Sequence, residues 1–115
     1  HDTDSKRLPF EQASSGIIGF ESLLPLTLKL IEEKNMKIES LVKLISLNPA
    51  RLLKINAGTI KKGSPADLVI FDPKKEIILS SNSIRSKSKN FPYESFKAKG
   101  KVFLTMIDGK IIFNA

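Results

Sequence analysis

Apolar residues recur first at helical spacing and later at strand spacing, with the change near residue 58. Residues 1–15 are polar, carry turn formers and Pro9, and are expected as an irregular loop. From Phe20 onward, Leu23, Leu24, Leu28 and Ile31 form a helical stripe. Pro25 is tolerated only near a helix start, so this helix should begin just before it, with Ser22 as cap, and end at Lys34-Asn35. Ile38, Leu41, Val42 and Ile45 stand at i, i+3, i+4 and i+7 and predict a second helix. Asn48-Pro49-Ala50-Arg51-Leu52-Leu53 predicts a short third one, with Asn48 as cap and Pro49 at the first helical position, where a missing N–H costs nothing. Gly58 is expected to close the helical half.

Beyond it, Asp67-Leu68-Val69-Ile70-Phe71-Asp72 and Glu76-Ile77-Ile78-Leu79 predict two strands around a Pro73-Lys74-Lys75 turn. Residues 101–107 and 110–113 flank Asp108-Gly109, a strong signal for a tight hairpin. Between these pairs, residues 80–100 form a long Ser/Lys-rich connection. Connections of that length are usually functional or docked on another part of the protein. Three helices followed by four short strands leave apolar faces with no partner layer. The pattern therefore predicts two units, residues 1–57 and 58–115, that are incomplete as a stand-alone fold.

Composition narrows the class. Hydrophobic residues make up 41% of the 115, enough for a core rather than disorder. Lys29 and Glu32-Glu33 interrupt the longest apolar stretch, so no membrane span is expected. The absence of cysteine excludes disulfides and thiolate metal sites and fits a reducing, cytoplasmic setting. The net charge of +7 is uneven: residues 58–115 hold 11 Lys/Arg against 5 Asp/Glu. These lysines are scattered along strands and loops without aromatic interleaving, helix-turn-helix or zinc-finger spacing, so nucleic-acid binding is not expected.

Several segments carry a family resemblance. Asn48-Pro49-Ala50-Arg51-Leu52-Leu53, followed by Gly58-Thr59-Ile60-Lys61-Lys62-Gly63-Ser64-Pro65-Ala66-Asp67-Leu68-Val69-Ile70-Phe71-Asp72, resembles the end of amidohydrolase-superfamily enzymes. Gly16-Ile17-Ile18-Gly19-Phe20-Glu21 with Leu24-Pro25-Leu26, and Ser86-Lys87-Ser88-Lys89-Asn90-Phe91-Pro92-Tyr93 with Gly100-Lys101-Val102 and Asp108-Gly109-Lys110, resemble dihydroorotases in particular. Allantoinases and dihydropyrimidinases match these two segments less well. The resemblance covers the whole chain and implies its C-terminal segment only. The implied fold class is α/β: the end of a metal-dependent (β/α)8 barrel, its last loop and helices, followed by the second half of a small β-sandwich subdomain.

The implied reaction is the reversible cyclisation of N-carbamoyl-L-aspartate to L-dihydroorotate in pyrimidine biosynthesis, with zinc as cofactor. Metal-bound water becomes a strong nucleophile near neutral pH. No zinc ligand and no catalytic residue carries over to this chain. His1 fits the last histidine of the family's Asp-His-Ala-Pro-His motif, which puts the expected catalytic aspartate upstream of it. The substrate carboxylate needs an anion-binding corner, for which the candidates are His1 and the backbone at Ser15 and Gly16. Asp2, Asp4 and Glu11 are expected as solvated loop carboxylates, and Asp67 and Asp72 as turn and strand-end residues. Lys87, Lys89 and Asn90 are expected to tie down the long connection.

The implied partners are the small-molecule substrate and upstream barrel sequence, with a homodimer or aspartate transcarbamoylase as a further possibility. The isolated chain should be inactive. Two alternatives stand beside this reading: a non-catalytic dihydroorotase-like chain that supports aspartate transcarbamoylase, and a related cyclic amidohydrolase such as an allantoinase or dihydropyrimidinase.

Overall fold

The computed structural model describes residues 4–115; His1, Asp2 and Thr3 lie outside the described residues. A single helical turn, Asp4–Lys6, opens the loop region, and helix α1 follows over Leu23–Glu33. Pro25 sits in its first turn, where backbone N–H groups need no helical partner. The expected Ser22 cap is not made. Ser22 is itself helical, at φ −93 and ψ −10, and its hydroxyl donates to the Gly19 carbonyl at 3.2 Å. At the far end Asn35 turns left-handed, and the Met36 N–H donates to Ile31 O at 2.9 Å, closing the helix where the sequence suggested.

The second and third expected helices form one continuous helical run. Helix α2 covers Ile38–Val42, a widened π turn covers Lys43–Leu47, and α3 covers Asn48–Leu53. Asn48 is therefore not a cap: it is helical, at φ −67 and ψ −45, and its N–H donates to Lys43 O. The reason lies in Pro49, which lacks an N–H and whose ring crowds the carbonyl one turn back. The wider turn just ahead lets the helix pass through that point. The run stops at Lys54, left-handed at φ 55, four residues before the expected Gly58.

Strand β1 runs unbroken over Leu68–Leu79, β2 over Phe96–Ile107 and β3 over Lys110–Asn114, in an antiparallel sheet of order β1-β2-β3. Three strands thus replace the four expected. Pro73-Lys74-Lys75 is a bulge and not a reversal, because Asp72 Oδ1 accepts the Lys74 N–H at 2.8 Å and the Lys75 N–H at 3.2 Å. Those local bonds satisfy the bulged backbone, and the strand resumes with Glu76 opposite Lys99. Gly100 stands across from the bulge, with φ at +110. Asp108 and Gly109, at φ 46 and 75, form the expected mirror-image hairpin turn between β2 and β3.

The core is small and lies between helices and sheet. Leu28 and Ile31 of α1 meet Leu41 of α2, with Leu24, Ile45 and Phe71 packed on the cluster. Ala98 and Gly100 bring β2 against α1, and Lys99 Nζ reaches Glu32 of α1 at 2.8 Å. Much apolar surface stays open among the described residues: Leu52 and Leu53 on α3, Val69 and Ile70 on β1, and Ile111 and Ile112 on β3. Among the described residues, β1 and β3 are the two edge strands of the sheet.

Candidate functional site

The loop before α1 is built by turns that fold it back on itself. The Gln12 and Ala13 N–H groups donate to Pro9 O at 2.8 and 2.9 Å, and the Ser14 N–H donates to Ser5 O at 3.0 Å. Ser15, Gly16 and Ile17 then stand exposed at one wall of a concave surface that also includes Lys6, Phe20, Ser86, Ser88 and Asn90. Gly16 takes φ +101, a backbone conformation that side chains disfavour, while the space around its Cα is open. The glycine is therefore set by the turn of the chain and not by crowding.

Two donors from distant parts of the sequence meet on the Gly16 carbonyl. Lys6 Nζ lies 2.7 Å from Gly16 O and also donates to Ser14 O. Asn90 Nδ2 lies 2.7 Å from the same Gly16 O, and the Asn90 carbonyl accepts the Ile18 N–H at 3.0 Å. The N–H groups of Ser15, Gly16 and Ile17 meet no acceptor among the described residues. The lining includes the Lys6 cation and no carboxylate. Amide donors beside one positive charge form a surface suited to an anion.

Residues 80–95 carry Asn90 to this loop and are docked by polar anchors. Glu94 accepts the Ser80 hydroxyl and the Ser81 N–H, each at 2.8 Å, and Glu21 accepts the Arg85 N–H at 2.9 Å. Lys89 Nζ donates to the carbonyls of Ser81 and Ile84. Phe91, Tyr93 and Phe96 stack edge to face at 5.8 and 6.1 Å, and Lys29 of α1 lies over the Phe96 ring. The expected structural role fits Lys89. Asn90 both ties the connection and forms part of the candidate site, while Lys87 is exposed.

The Ser81 N–H, then the Ser81 and Ser80 side chains, hold the Glu94 carboxyl below its ordinary value of 4.5. A lowered value means that Glu94 favours the docked connection above pH 4.5 and loses that contribution as pH falls through its folded value. Acid should therefore loosen residues 80–95 first, and Glu94→Gln should flatten that dependence; hydrogen exchange across a pH series checks both. The Glu32 hydrogen bond and charge raise the Lys99 value, a surface effect at a residue that does not line the site.

Of the expected substrate-binding residues, Ser15 and Gly16 lie in the concave surface, and His1 lies outside the described residues, as does Asp2. Asp4 pairs with Arg7 at 3.7 Å on the exposed surface, and Glu11 is exposed. Asp67 Oδ1 accepts the Asp108 N–H at 2.8 Å, a turn contact. Lys6 and Glu21 were not singled out from the sequence. Lys6 is one lysine among many on a polar loop, and no local pattern marks it.

The amidohydrolase family model matches residues 3–112, and the chain belongs to that family. Within it, the sequence is most informatively set beside dihydroorotases. That of Geotalea daltonii is 43% identical over 97% of this chain, and that of Aquifex aeolicus 42% identical over 98%. The chain spans about a quarter (26%) of the length of each. Among solved structures, a D-hydantoinase (dihydropyrimidinase) from Thermus sp. superposes with a TM-score of 0.89 at 27% identity, over 99% of this chain and 26% of that one. An L-hydantoinase (dihydropyrimidinase) from Arthrobacter aurescens gives a TM-score of 0.82 at 29% identity, over 90% of this chain and 24% of that one.

Proposed function

We propose that this chain forms part of a dihydroorotase that interconverts N-carbamoyl-L-aspartate and L-dihydroorotate, and that it supplies the wall gripping the substrate carboxylate. The observation that carries the reading is the 43% identity to a dihydroorotase across 97% of the chain. Identity to the hydantoinases that share the fold is 27–29%, so the sequence stands nearer to dihydroorotases than to those hydantoinases.

In this reading α1–α3 close a (β/α)8 barrel and β1–β3 form half of a small sandwich. Support comes from the apolar residues left open on both halves, Leu52 and Leu53 on one and Ile111 and Ile112 on the other. Among the described residues, no group of three His, Cys, Asp or Glu could hold a metal, so the described residues do not fit the zinc that the family implies. What these residues do is bind and orient. In this reading the Ser15, Gly16 and Ile17 N–H groups are the donors left open for the carboxylate, and the Lys6 charge on the loop favours the approach of an anion. His1 would add an imidazole donor to the same corner. A cytoplasmic place within pyrimidine synthesis is part of the same proposal and rests on the reaction alone.

The test is an assay of the full-length protein that carries these residues, with zinc, on both dihydroorotate and dihydrouracil. Turnover of dihydroorotate is expected. Preference for dihydrouracil would replace this reading with a dihydropyrimidinase. A folded protein without turnover would make it a non-catalytic partner of the aspartate transcarbamoylase kind, and the upstream sequence would then lack a His-x-His pair and the aspartate four residues before His1.

A further inference from the structure

The geometry points to Lys6 and Asn90 as positioning residues that jointly aim the amide donors of the anion-binding loop. In a planar trans peptide the C=O and the N–H of one unit point in opposite directions. Lys6 Nζ holds Ser14 O and Gly16 O, the carbonyls of the two peptide units whose N–H groups belong to Ser15 and Ile17. Fixing those carbonyls fixes both donors, facing away from the lysine. Asn90 Nδ2 takes the remaining position on Gly16 O, and a carbonyl oxygen offers two lone pairs.

The pair solves a definite problem. Gly16 at φ +101 has no side chain to restrict it, so the loop needs outside restraint to hold one conformation. One restraint comes from ten residues earlier and the other from seventy-four residues later, so the loop is gripped from both sides. Asn90 is in turn fixed by the Ile18 N–H at 3.0 Å, and its segment by Glu21 through Arg85. Pre-organised donors bind an anion without the loss of freedom that a loose loop would suffer.

The inference rests on the reading of this loop as the carboxylate grip, and the test separates the two. In the full-length enzyme, Lys6→Met and Asn90→Asp should each raise KM for dihydroorotate about tenfold with kcat changed less than about threefold, the pattern of lost uniform binding. Lys6→Arg, which keeps a cationic donor, should recover part of the loss. A fall in kcat and melting temperature with KM unchanged would mean a merely structural role and overturn the proposal. A second measurement needs no turnover: the backbone order parameters of the Ser15 and Ile17 amides should fall in Lys6→Met. Order parameters equal to the parent's would overturn the clamp. Absence of turnover in the parent would overturn only the dihydroorotase reading.

Discussion

Gly100→Ala is expected to destabilise the protein by about 2–4 kcal/mol. Two separate costs meet there. A side chain at φ +110 strains the backbone whatever surrounds it. The added Cβ would also overlap the Leu28 Cδ1 methyl, on a side chain already in the core with Ile31 and Leu41. The strand has little room to retreat, since Ala98 beside it is buried as well. A double mutant separates the two terms. Leu28→Ala alone opens a cavity and costs about 2–5 kcal/mol, but combined with Gly100→Ala the total should fall short of the sum. Urea unfolding of the full-length protein measures this. Strict additivity would show that strain alone sets the cost at Gly100.

The second large effect concerns the chain by itself. Residues 1–115 mixed with zinc and carbamoyl aspartate should yield no dihydroorotate, because the chain spans only 26% of the dihydroorotase it resembles and its described residues bring no three metal-ligating side chains together. The same sample should bind an apolar dye and self-associate, since Leu52, Leu53, Ile70, Ile111 and Ile112 all stand open. Turnover above background would overturn the assignment of the metal ligands to other sequence. A monodisperse, dye-silent monomer would overturn the claim that these faces are covered by further protein.

The parts legible from sequence are those set by neighbours in the chain. The α1 stripe, its stop at Asn35 and the Asp108-Gly109 hairpin each depend on a few adjacent residues, and each forms where expected. The misreadings came where a local signal admits two outcomes. Pro73-Lys74-Lys75 has turn composition, yet the Asp72 carboxylate satisfies the freed N–H groups and the strand continues. Asn48-Pro49 has the composition of a helix start, but the helix was already under way from Ile38. For the candidate site, resemblance points to Ser15 and Gly16, which lie in the concave surface, while no sequence pattern points to the Lys6–Gly16–Asn90 convergence. Residues 6 and 90 share no periodicity, and only the docking of residues 80–95 brings them together.

The wide turn at Lys43–Leu47 carries one residue more than an ordinary helical turn would use. That residue sets how far α3 is rotated relative to α2 about the axis of the run. Removing that residue would rewind the run as regular helix and rotate Ala50 by about 100° relative to Leu41. One of the two residues now buried in this run would then face solvent. Insertions and deletions among relatives should for that reason spare this turn, and length variation should collect instead in the exposed stretch around Lys61 and Lys62.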